Sequence, residues 1–198
     1  MKMKAILLLG LFSTATSYSG AGQEQPKPLA GCPAPQVIAA SLEKLRDSDW
    51  SEVTPIRIQE IWPGPVRPLE CKSATSCSSL ARTGRIIDGE IECEDVFSFD
   101  ESAGRPFEKE QLQSVTIHYT AGTRGEIVTV ARLLASAAGV PSAIVRTIGP
   151  NTPSGLQHLR WQDADGETSS INLQLDRLQG KWKLFLVYTR GADATIVY

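Results

Sequence analysis

The chain has 198 residues, 41% hydrophobic and 21% charged, an ordinary globular balance that excludes a disordered or fibrous chain. A formal net charge of −2 provides no basic footprint for nucleic acid. No apolar run beyond the first twenty or so residues approaches the ~20 residues that a helix needs to cross a bilayer.

Residues 1–21 read as a secretory signal peptide. Lys2 and Lys4 make a positive n-region, and the run Ala5 to Phe12 makes a short apolar h-region. Ser17-Tyr18-Ser19 and Ser19-Gly20-Ala21 each satisfy a small-x-small cleavage rule. Removal takes two lysines and no acid, so the formal charge moves from −2 to −4. The mature chain is therefore expected in the periplasm or outside the cell. Residues 22–34 form a Pro- and Gln-rich linker. Within it, Leu29-Ala30-Gly31-Cys32 matches the bacterial lipoprotein box. The polar segment Gln23 to Pro28 separates that box from the apolar run, which argues against lipidation.

Four cysteines, Cys32, Cys71, Cys77 and Cys93, make an even set in an exported chain and so point to two disulfides, with three pairings open. We favour Cys71–Cys77 closing a short loop and Cys32–Cys93 tying down the N-terminal segment. There is no C-x-x-C, and the two histidines, His118 and His158, lie far downstream, so no metal or other cofactor is implied.

Pro35 suits the first turn of a helix, and Ile38, Leu42 and Leu45 follow at helical spacing, predicting an amphipathic helix over 35–47. Thr54-Pro55 reads as a cap and first-turn pair of a second helix over 55–61; a strand is the rival, because Ile56 and Ile58 also alternate. Residues 65–79 are expected to be a disulfide-stapled connection. Arg85 to Ile91 carries Asp88-Gly89 between apolar runs, a hairpin signature. The strand after it puts Ile91, Cys93, Phe97 and Phe99 on one face and Glu90, Glu92 and Glu94 on the other. A strand follows over 113–120. A long helix is expected over 126–138, with Gly139 at its C′ position, and a short turn over 141–147. Strands over 156–162, 169–175 and 181–189 complete the chain, joined at Asp163 to Gly166 and at Gln179-Gly180.

Val115 to Gly122 aligns with Leu184 to Gly191 at an offset of 69, and each is preceded by helix, proline-marked turn and hairpin. The expected fold class is α+β: two tandem units, 35–124 and 125–198, each with helices packed on a three- to four-stranded antiparallel sheet.

Leu133 to Pro141, Arg160-Trp161 before a hairpin, and the strand ending at Tyr188 give this second unit a helix, a Gly/Pro break and three antiparallel strands. That pattern resembles the β-lactamase-inhibitor-protein fold, shared with small outer-membrane assembly lipoproteins. It covers about 125–190 and, more loosely, 50–122. The resemblance implies protein–protein binding through an open sheet face and transfers no specific residue.

No catalytic residue is singled out. His118 and His158 sit inside strands opposite apolar neighbours, which favours solvated or interface positions over a general base. Asp88, Glu90, Glu92 and Glu94 are read as a solvated strand face that keeps an edge from aggregating. Asp163-Ala164-Asp165-Gly166 departs from a calcium loop and reads as a hairpin turn. Ser41-Leu42-Glu43-Lys44 matches S-x-x-K without its partner signatures. Trp50, Trp62, Trp161 and Trp182 are expected as core anchors. The candidate interface is the outer face of the second sheet: His158, Arg160, Asn172, Gln174, Lys183 and Phe185, joined by Asp176, Lys181 and Val187. A mixed polar face with an aromatic suits a protein partner. A secreted hydrolase using His118 or His158 and an envelope structural component are the alternatives.

Overall fold

The structure is a computed structural model that describes residues 32–63, 67–68, 80–87, 90–99, 109–149, 151–162 and 166–191; at 67–68, 80–87 and 90–92 only the backbone path is described. The expected signal peptide, most of the linker, Cys71, Cys77, Asp88-Gly89 and residues 163–165 fall outside these.

Helices form where the caps and apolar spacings ask for them. Helix α1, Pro35–Arg46, starts on Pro35 and buries Ile38, Leu42 and Leu45 completely. After a 3₁₀ turn at Trp50–Glu52, helix α2 spans Pro55–Ile61, and Thr54 Oγ1 accepts from the Arg57 N–H at 3.4 Å. The rival strand over 55–61 is thereby overturned: the Thr-Pro pair outweighs the short Ile56/Ile58 alternation. Helix α3, Arg124–Ala137, begins earlier than its apolar stripe suggested, because Thr123 and Glu126 close a capping box. Gly139 follows it at φ +90°, a backbone conformation that side chains disfavour. The turn α4 is Ser142–Val145.

Among the described residues, seven strands form one antiparallel sheet: β1 Arg67–Pro68, β2 Leu80–Ile87, β3 Glu90–Phe99, β4 Leu112–Ala121, β5 Gly155–Gln162, β6 Thr168–Leu178 and β7 Lys181–Arg190, in the order β1-β2-β3-β4-β7-β6-β5. The architecture is α+β. Strand β2 runs well upstream of Arg85, and β6 runs past Leu175 to a turn at Gln179 and Gly180, both at positive φ. Strands that the sequence divides between two units share this one sheet through the β4–β7 ladder, over a single buried core. The order reads as two three-strand meanders, β2-β3-β4 and β5-β6-β7, meeting at their third strands.

Helix-side contacts define one face of the sheet. Trp62, after α2, meets Phe97 with ring centroids 5.0 Å apart, and its Nε1 donates to Asp95 Oδ2 at 2.8 Å. Trp50 meets Tyr188 at 5.1 Å, and Arg124 of α3 lies 4.9 Å over Trp182. The Cys32–Cys93 disulfide clamps the entry to α1 onto β3. Cys93 alternates with Asp95 and Phe97 on this side, so β3 carries an inward acid that its apolar pattern did not announce.

Candidate functional site

The opposite sheet face collects the residues that the strand patterns proposed. Its positions are set by pairing registers, so a full row crosses five strands. In one row Glu94, His118, Phe185, Gln174 and Leu156 stand opposite one another in turn. In the next, Val96, Thr116, Val187, Asn172 and His158 do so. A third runs Ser98, Ser114, Thr189, Ser170, Arg160, and Lys183 lies between Thr120 and Asp176. All six candidate interface residues therefore share this face.

Their contacts are specific. His158 Nδ1 lies 2.6 Å from Asn172 Oδ1; with the amide oxygen accepting, Nδ1 carries the proton. Gln174 Nε2 donates to Asp176 Oδ2 at 2.5 Å. His118 packs edge to face on Phe185, with centroids 4.8 Å apart. Ser170 and Thr189 hydroxyls meet at 2.7 Å. His158 and Arg160 are exposed, Gln174, Lys183 and Phe185 are half-buried, and Asn172 is only 3% exposed.

The face extends further than the sequence indicated. Ladder β4–β7 brings His118 and, beyond it, Glu94 into the Phe185 row. Glu94 was expected to be solvated; it is 7% exposed, because it lies on β3 inside the sheet rather than on an edge. Burial holds the His118 imidazole below its ordinary value; Glu94 across the ladder opposes this and Lys183 adds to it. The cue for this extension was the 69-residue offset that aligns the sequences of β4 and β7, but local pattern says nothing about whether aligned strands pair.

Of the tryptophans expected as anchors, Trp50, Trp62 and Trp161 are buried and Trp182 is half-buried. Ser41 is structural: its hydroxyl donates to Ile61 O at 2.9 Å and ties α1 to α2. Among the described residues no group of three or more His, Cys, Asp or Glu side chains is placed to hold a metal ion, and no helix is long and apolar enough to cross a membrane. No protein-family model, curated protein or solved structure matches the chain.

Proposed function

We propose that this chain is a non-enzymatic binding module of an extracytoplasmic compartment that captures another protein on the open face of β4, β7, β6 and β5. The observation that carries this reading is the convergence of half-buried Phe185 with the exposed His158 and Arg160 on one continuous face. Interfaces concentrate aromatics and arginine in this way. The partner presents an apolar ridge to Phe185 and carbonyl or carboxylate acceptors to Arg160. The Cys32–Cys93 bond supports an oxidising compartment. The resemblance of 125–190 to the β-lactamase-inhibitor-protein fold supports use of the sheet face, and the sequence alignment of β4 with β7 is in keeping with it.

The alternatives draw less support. A hydrolase on His118 or His158 needs a nucleophile beside the imidazole, whereas His118 packs on Phe185 and His158 bonds to Asn172. A lipid-anchored envelope component needs a free Cys32 thiol, and Cys32 is bonded to Cys93.

Placing a photo-crosslinking amino acid at position 185 in the exporting cell, with position 37 on exposed α1 as the control, tests the proposal. A single protein is expected to crosslink at 185 and not at 37. Once that protein is purified, Phe185→Ala with Arg160→Ala should weaken its binding at least about tenfold. Unchanged affinity of the double variant would remove this surface from the account.

A further inference from the structure

Among the described residues, the two edges of the sheet differ. Strand β1 closes one of them with only two residues, the second of which is Pro68. A short strand and a proline are both devices that keep a sheet edge from pairing with another chain. Strand β5 stands at the other edge and has neither. It pairs residue for residue with β6, from Gly155 opposite Leu175 to Gln162 opposite Thr168, with no bulge. It contains no proline, no lysine and no acid. Among the described residues no strand lies beyond it, and no backbone group outside β6 bonds to it. An antiparallel edge strand of this kind leaves about half of its N–H and C=O groups pointing outward.

Side chains on both sides of this edge offer surface to cover. Leu156, His158, Arg160 and Gln162 are exposed on the open face, and Gln157 and Leu159 are half-buried on the helix side. Leu156 is 47% exposed. A strand laid beside β5 would cover Leu156 on one face and Leu159 on the other, so apolar burial would accompany the main-chain bonds.

Charge decides which strand fits. Arg160 is the one side chain of β5 with a permanent charge. It stands opposite Ser170 and makes no hydrogen bond or ion pair with a described residue. His158, two residues earlier on the same face, is held by Asn172. A second copy pairing edge to edge would bring two arginines and two histidines onto one short ladder with no acid among them, and like charges across a ladder are destabilising. A strand bearing Asp or Glu would instead set a carboxylate directly opposite Arg160, with Cβ atoms about 5 Å apart.

We propose that the partner adds an extended acidic segment to the β5 edge as a further strand, with a carboxylate opposite Arg160. This rests on the protein-capture reading above and specifies what the chain recognises: main-chain groups of the segment supply the affinity, and Arg160 selects its charge.

Sedimentation and amide hydrogen exchange of the chain alone make the first test. A monomer is expected, with alternate amides of β5 exchanging faster than those of β6. A dimer with protected β5 amides would give the edge to a second copy, and a monomer with protected β5 amides would give it to another segment of this chain; either result overturns the proposal. The second test titrates acetyl-Thr-Val-Thr-Val-Glu-Val-Thr-Val-amide, and the same peptide with Lys in place of Glu, against the chain by NMR. Saturable shifts are expected along residues 155–162, with the Glu peptide binding at least about threefold tighter. Arg160→Glu, an exposed substitution, should reverse that preference, and N-methylation of alternate peptide amides should abolish binding. No saturable shift on β5, or an unchanged preference in Arg160→Glu, would overturn the proposal. A crosslink from position 185 without peptide binding at β5 would sink the edge and leave the open face standing; peptide binding at β5 without that crosslink would keep the edge and remove the face.

Discussion

Ile117 on β4 stands directly opposite Leu186 on β7, and the same two residues are equivalent under the 69-residue sequence offset. On either side, Val115 faces Tyr188 and Tyr119 faces Leu184, again exchanging equivalent positions. An antiparallel ladder centred on one residue pair has the geometry of a local two-fold axis. Its consequence is energetic as well as formal: the centre of the sheet is the seam between the two meanders, and both halves depend on it.

Both central residues are fully buried, so Ile117→Ala and Leu186→Ala should each cost about 2–5 kcal/mol. Because they are cross-strand neighbours, the double variant should depart from additivity by about 0.5 kcal/mol or more. Urea unfolding of the four proteins measures this, and strict additivity would show that the pair is uncoupled.

The Cys32–Cys93 bond spans 61 residues of sequence. Chain entropy for a closed loop of that size corresponds to about 4 kcal/mol. Reduction under native conditions should therefore lower the urea midpoint substantially, and Cys32→Ser should reproduce most of the loss. Identical midpoints for oxidised and reduced protein would mean that the crosslink is energetically idle.

Trp62 is 3% exposed and donates to the buried carboxylate of Asp95. Trp62→Phe preserves most of the contact with Phe97 but deletes the donor, leaving a buried charge with one hydrogen bond fewer. The expected cost is about 1–3 kcal/mol. Asp95→Asn in the Trp62→Phe background should recover part of it, since a neutral amide is cheaper to leave under-bonded. A double variant no more stable than Trp62→Phe alone would place the cost in packing instead.

His118 gives the fold a pH dependence of defined sign. Its imidazole is held below the ordinary 6.5 mainly by burial, with Glu94 opposing and Lys183 adding. The unfolded chain then takes up a proton that the folded chain resists. Stability should be flat above about pH 6.5 with respect to this group, and should fall as pH drops from there through the depressed folded value. Melting temperatures recorded across that window should show a shallower acid limb in His118→Gln. An unchanged limb would assign the acid sensitivity to other groups.

Local signals were legible where one residue acts on its own neighbours. Pro35, Thr54-Pro55 and Gly139 marked helix ends through backbone geometry and capping, and Ile38, Leu42 and Leu45 marked a buried stripe through spacing alone. Alternation along β5, β6 and β7 likewise assigned His158, Arg160, Asn172, Gln174, Lys183 and Phe185 to one face, because side-chain direction in a strand follows from period two. Glu94 was misread as solvated for the complementary reason: the same alternation describes an edge strand and an interior one.

By itself, then, the sequence determined the helices and every strand but β1, which lies where a connection was expected over 65–79, together with most boundaries, the α+β class and the partition of the later strands into two faces; all of these are short-range consequences of backbone conformation and residue spacing. Only the tertiary structure decided that β4 pairs with β7 in a single seven-stranded sheet, that His118 and Glu94 join the Phe185 row, and that Trp161 and Arg46 meet at Gly139. Those are contacts between segments tens of residues apart. They are selected by the joint burial of one core, and no local pattern encodes which distant strand or helix end supplies the other half.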